Sequence, residues 1–309
     1  MSGQPGTVVA GPDGGTVDPV PLLRPGRRWT LIAGPVFSLL LLVAVAAQVR
    51  HLDLPDPASL MPTGIGFWLA FVVYYFMSPA TEWIIFRRLW NLPAAGFVAL
   101  VRKLVGNEVL MGYVGELYFY TWARRHAHVV AAPFGAIKDV TILSGLVGNA
   151  VTLVMVIVAA PLLGSLSLGI SGKSIIASTV VVLATSLVVL FFRQRLFTLP
   201  RRELWIIAGL HLVRVILNTF VAALMWHLLL PDVALTWWVL LATLRLLVSR
   251  LPLLPNKDVV FAGLASFLVG KEADIAAAMA LMATLILIAH LGLAAILGAG
   301  DLAYRKRKS

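Results

Sequence analysis

Residues Leu100 to Arg125 read LVRKLVGNEVLMGYVGELYFYTWARR, and the placement of this stretch decides the fold. It is apolar enough to enter a bilayer. Yet it holds Arg102, Lys103, Glu108 and Glu116, interrupted by Gly106, Asn107, Gly112 and Gly115. A charged side chain at the bilayer centre costs about 2.5–3.5 kcal/mol on insertion scales, so several in one segment exclude a plain lipid-facing span. These residues must face protein, water or a ligand, which makes the stretch the first candidate functional segment. The basic pairs Arg87-Arg88 and Arg124-Arg125 flank it. With both flanks on the cytoplasmic side, the chain must enter and return, as a re-entrant helical hairpin whose tip lies near Gly106 to Gly115. Non-helical backbone at that depth is tolerated only when buried in protein or lining a wet cavity.

The composition agrees with a membrane setting. Of 309 residues, 60% are hydrophobic and 13% charged, with a mean hydropathy of +0.93; soluble domains are about 25% charged. The chain reads as an all-α polytopic membrane protein. Its formal net charge of +11 would suggest nucleic acid as a partner of a soluble protein. Here the excess of basic residues follows the rule that cytoplasmic loops are positive, and no nucleic-acid partner is needed. The absence of cysteine excludes disulfides, thiolate metal sites and a cysteine nucleophile.

Outward from the central stretch, residues 1–28 are rich in Gly, Pro and Val without helical period and read as a disordered cytoplasmic tail. Trp29 to Val49 reads as a first span, and His51 to Pro62 as an outer loop whose Asp53 and Asp56 form a lone D-x-x-D. Ile65 to Phe86 is a second span carrying Glu82, and Asn91-Leu92-Pro93 is expected to start the next helix. Val140 to Leu163, Ser174 to Phe192 and Glu203 to Leu230 follow as spans. The last of these carries His211, Arg214 and Asn218 at i, i+3 and i+7, a polar stripe on one helix face. Thr236 to Gly270 repeats the anomaly of the central stretch. Trp237-Trp238 is an interfacial anchor, and Arg245 and Arg250 sit in an apolar helix. The pattern breaks at Pro252 and at Pro255-Asn256-Lys257-Asp258, then resumes from Val259 to Val269. Ala273 to Leu297 is the final span, and residues 301–309 form a basic cytoplasmic tail.

About six full spans plus two oppositely oriented re-entrant hairpins satisfy these constraints, with both termini cytoplasmic. Of the 25 Lys and Arg, sixteen then fall inside, three (Arg50, Lys173, Lys271) outside, and six (Arg102, Lys103, Arg214, Arg245, Arg250, Lys257) at membrane depth. The arrangement is a single transmembrane domain over 29–300, built as an inverted repeat of 29–163 and 173–300. Such repeats build many transporters, with a site at the midplane between discontinuous helices.

Gly106-Asn107-Glu108 through Gly115-Glu116-Leu117, then Tyr118 to Trp122 and Arg124-Arg125, resemble a known pattern. It is that of the flippase-like transmembrane domain related to the membrane part of lysylphosphatidylglycerol synthases. In this resemblance Lys138-Asp139 stands where the family places a Glu-Arg pair, and the second hairpin stands for its Pro-Gly-Gly-rich re-entrant motif. The chain departs from the family in reading Pro255-Asn256-Lys257-Asp258 there, and in having Phe119-Tyr120 where an arginine follows Gly-Glu-Leu. The resemblance implies a bacterial cytoplasmic (inner) membrane protein that moves lipid, without the family's soluble aminoacyltransferase domain.

The residue chemistry suits a membrane-lipid substrate with an anionic or zwitterionic headgroup. Arg102, Lys103, Arg214, Arg245, Arg250 and Lys257 can neutralise a phosphate, arginine in a bidentate manner. Glu108, Glu116 and Asp258 can hold those cations between substrates or pair with a headgroup amine, and Asn107 belongs to the same motif. No G-x-x-x-x-G-K-[ST] loop and no metal-ligand spacing such as H-E-x-x-H occurs, so neither a cofactor nor a metal is expected. Movement would be passive or coupled to an ion gradient. Two other classes fit the same sequence: an integral membrane lipid-modifying transferase, and a non-transporting assembly subunit.

Overall fold

A computed structural model describes residues 61–109, 114–126, 133–165, 197–250, 257–269 and 273–306. Among these residues there are eight helices and no strand. They are α1 (Ile65–Trp90), α2 (Ala95–Val109), α3 (Val114–His126), α4 (Pro133–Ser165), α5 (Arg201–Leu229), α6 (Leu235–Ser249), α7 (Lys257–Val269) and α8 (Ala273–Lys306). Among the described residues, four segments are long and apolar enough to cross a membrane: Ile65–Trp90, Phe134–Ala159, Arg201–Leu229 and Asp274–Leu297. The described part of the chain is therefore all-helical, with the helices of a membrane protein. The expected first span (Trp29 to Val49), the span Ser174 to Phe192, the Asp53/Asp56 loop and the basic end of the chain beyond Lys306 lie outside the described residues.

Three helix boundaries differ from the sequence reading, each for a local reason. Asn91 does not begin a helix; it ends α1. Its φ of 50° and ψ of 45° are left-handed, and its N–H donates to the Arg87 carbonyl at 2.8 Å. Asparagine tolerates this conformation and closes helices in place of glycine, so α2 starts only at Ala95. Helix α4 begins at Pro133, seven residues before the expected Val140, because proline suits a first helical turn, where its missing N–H would have no partner. Lys257 and Asp258, read as part of a break, are the first residues of α7. A carboxylate in a first turn is stabilised by the unpaired N–H groups there.

The long helices pair so that polar and apolar layers come into register. Helices α1 and α5 run antiparallel: Tyr74 meets Asn218, Ser78 meets Arg214, and Arg88 meets Glu203. At one end of this pair, Phe67 and Phe71 of α1 and Ala222, Met225 and Trp226 of α5 join Trp238, Phe261 and Met279 in one buried cluster. At the other end, Ile85, Phe86 and Ile207 join Leu92, Leu100, Phe119, Ile137 and Val140 in a second. Between the clusters lie Ser78 and Glu82 of α1 and His211, Arg214 and Asn218 of α5. Alternating core and charge along the same two helices thus places a polar layer inside an apolar body. The short helices α2 and α3 pack on each other, as do α6 and α7, and both pairs reach this layer.

Candidate functional site

The Leu100–Arg125 stretch forms two short helices pressed together at their near ends. A Cβ on Gly106 would lie 3.5 Å from Gly115 Cα, and one on Gly115 would run into the Lys103 carbonyl. Asn107 Oδ1 accepts the Gly115 N–H at 2.7 Å. The Gly106-Asn107 and Gly115 positions are therefore used for close approach and for fastening α2 to α3; residues 110–113 lie outside the described set.

Lys103, buried under this contact, points its ammonium to α1. Its Nζ donates to Glu82 Oε1 and Oε2 at 2.9 and 2.8 Å, and lies 3.4 Å from Glu116 Oε1. Lys103 and Glu116, both predicted site residues, are thus brought to each other and to Glu82. Neither they nor Arg102 lines the cavity described next. The juxtaposition of Glu116 with Arg245 and Arg250 expected of two facing hairpins gives way to a pair within its own hairpin. The reason is reach: Lys103 lies one helix contact away.

Glu108 goes the other way. It lines a cavity of about 210 Å³ together with Arg214, Arg245, Arg250 and Asp258, and its carboxylate accepts the backbone N–H of Lys257 at the start of α7. The tips of the two helix pairs therefore meet, Glu108 of one capping the first turn of the other. Lys257 Nζ donates back across its own break to the Ser249 carbonyl at 2.9 Å. Tyr74, Tyr75 and Ser78 of α1, Asn218 of α5, and His290 of α8 complete the polar wall.

The three guanidiniums of this cavity differ in their partners. Arg245 donates from all three of its nitrogens. Its Nε donates to Asp258 Oδ1 at 3.0 Å, its Nη1 reaches Asn218 Oδ1 at 3.4 Å, and its Nη2 donates to the Tyr74 hydroxyl. The same group lies 5.0 Å from the Tyr74 ring centroid, within cation–π range. Arg214 donates only to hydroxyls, Ser78 Oγ at 3.0 Å and Ser144 Oγ at 2.8 Å. Arg250 donates to Ser249 Oγ from Nε and Nη2, at 3.0 and 2.7 Å. Among the described residues no carboxylate comes within 4.0 Å of either. Room for Arg250 is made by Gly148 of α4, where a Cβ would run into its guanidinium.

Several residues of the site carry no signal in linear spacing. The sequence marks Glu82 only as a charge within a span, and nothing in it distinguishes Ser144, Ser249 or Gly148. One pattern does exist: Tyr74, Ser78 and Glu82 recur at i, i+4 and i+8, the α1 counterpart of the α5 stripe. Asp139, matched by resemblance to a functional pair, has a scaffolding position. Its Oδ2 accepts the Thr198 N–H at 2.7 Å, the Thr198 hydroxyl at 2.9 Å and the Leu199 N–H at 2.8 Å, holding the segment that leads into α5. His211 is wholly buried in the polar layer, and His290 bonds the Tyr75 hydroxyl at 2.7 Å. No group of three or more metal-ligating side chains occurs among the described residues. Comparison of the chain with family models, with curated proteins and with solved structures gave no match.

Proposed function

We propose that the protein is a flippase-like membrane transporter that moves an anionic or zwitterionic lipid, a phospholipid or a polyprenyl-phosphate-linked one, across the bacterial cytoplasmic membrane. The observation that carries this reading is the charged cavity where the two short helix pairs meet, lying between apolar clusters of an otherwise lipid-compatible helical body. A lipid headgroup needs such a place to leave water, and its acyl chains do not. In this reading α2–α3 and α6–α7 are two re-entrant hairpins entering from opposite sides, and six spans surround them with both termini cytoplasmic.

Their dimensions support it. Helices α2 and α6 have 15 residues each, and α3 and α7 have 13 each. At about 1.5 Å per residue these are roughly 20–22 Å long, short of the ~30 Å hydrocarbon core. Matching lengths in the two pairs support an inverted repeat. Reconstitution into vesicles carrying a trace of a fluorescent phospholipid tests the function. A membrane-impermeant quencher should extinguish only the outer-leaflet label in protein-free vesicles, and nearly all of the label when the protein brings inner-leaflet lipid to the outside. Equal quenching in the two preparations would overturn the reading.

A further inference from the structure

We propose that the cavity binds a single phosphodiester through Arg214 and Arg250, while Arg245, the third guanidinium, belongs to the scaffold and not to the ligand. This assignment rests on the transport reading only for the source of the ligand; the binding site itself stands apart from translocation.

The division follows from what each cation already holds. Arg245 has a carboxylate, an amide oxygen and a tyrosine hydroxyl around it, so each of its three nitrogens already donates and its charge is matched by Asp258. Arg214 and Arg250 rest on serine hydroxyls, which orient a guanidinium without neutralising it. A buried charge without an opposite one in contact is costly, and these two line one cavity. An anion between them removes that cost. Each guanidinium presents a fork that matches two phosphate oxygens.

Charge favours an anion. The cavity walls carry the guanidiniums of Arg214, Arg245 and Arg250 and the carboxylates of Glu108 and Asp258, and the Lys257 ammonium stands beside them on the Ser249 carbonyl, so cationic groups outnumber acidic ones. A phosphodiester, with one negative charge, reduces this excess without reversing it. Volume agrees: about 210 Å³ is below the roughly 300–1,000 Å³ of pockets that enclose a drug-sized ligand, so a headgroup fits and a whole diacyl lipid does not.

Binding of soluble probes to the full-length, detergent-solubilised protein tests this by thermal stabilisation and by calorimetry. Dihexanoyl-phosphatidylglycerol should bind, and dihexanoylglycerol, which lacks the phosphate, should bind at least tenfold more weakly. Glycerophosphoglycerol, the same diester without chains, separates the sources: binding comparable to the lipid assigns the site to the headgroup alone. Binding of the lipid only assigns it to a membrane-borne diester; both results uphold the site. Arg214→Gln and Arg250→Gln should each weaken binding tenfold or more. Where either variant does not fold, Arg214→Lys, and Ser78→Ala with Ser144→Ala, keep the charge and spoil only its geometry; each should weaken binding at least threefold. Equal affinity for the phosphate-free analogue, or unchanged affinity in these variants, would overturn the proposal. Loss of transport with binding intact would overturn the transport reading and leave the site standing.

Discussion

Lys103 shows what a buried charge requires in this protein. Its ammonium is held by both oxygens of Glu82 and by Glu116, and the side chains of Lys103 and Glu82 are 7% and 12% exposed. Removing one partner of such a pair leaves the other charge buried and uncompensated, at about 3–5 kcal/mol. Lys103→Met should therefore lower stability by that much in denaturant unfolding of the solubilised protein, and adding Glu82→Gln should recover part of the loss. Glycine gives a second case. Gly115→Ala forces a methyl against the Lys103 carbonyl, and Gly145→Ala on α4 meets nothing within 4 Å. Overpacking costs about 1–3 kcal/mol, whereas alanine in an open helix interior gains about 0.5–1 kcal/mol over glycine. The two substitutions should move the melting temperature in opposite directions.

Elements were legible in the sequence where composition alone decides them. The apolar runs of α1, α4, α5 and α8 announce long helices, and the charges and glycines of Leu100–Arg125 announce that it is not one of them. The joints were less legible. Asn91 looks like a helix start beside Pro93, and only its left-handed backbone shows that it ends the helix before. Asp139 looks like half of a polar pair opening the next span, yet it serves a segment 59 residues away. Three hydrogen bonds to one ionised oxygen, each worth about 1.5–3 kcal/mol when a charged group takes part, make it a strong anchor for the start of α5. Asp139→Ala should cost at least about 3 kcal/mol in the same unfolding measurement and should raise the rate of proteolytic cutting near Thr198. An unchanged cutting rate would remove Asp139 from that role.

For the molecule as a whole, spacing in the chain says which residues share a helix face but not which faces meet. The α5 stripe was visible; its meeting with Ser78, 136 residues away, and with Ser144, 70 away, was not. The antiparallel register of α1 and α5 can be checked directly, because the chain has no cysteine of its own. A short bifunctional thiol reagent should bridge Arg88→Cys to Glu203→Cys, where the native side chains pair at 2.8 Å. It should leave Arg88→Cys paired with His227→Cys, at the far end of α5, unlinked.

The apolar clusters on either side of the polar layer have an electrical consequence. Ions do not readily cross packed Phe, Trp, Leu and Ile side chains, so in the transport reading each cluster would act as an insulating plug on its side of the charged layer. A membrane voltage would then fall across the plugs, and the charged layer would sit at an intermediate potential as a unit. Vesicles containing the protein should hold a potassium diffusion potential as long as protein-free ones, read with a voltage-sensitive dye. Trimming a plug, with Trp226→Ala and Phe261→Ala at one end, should shorten that time.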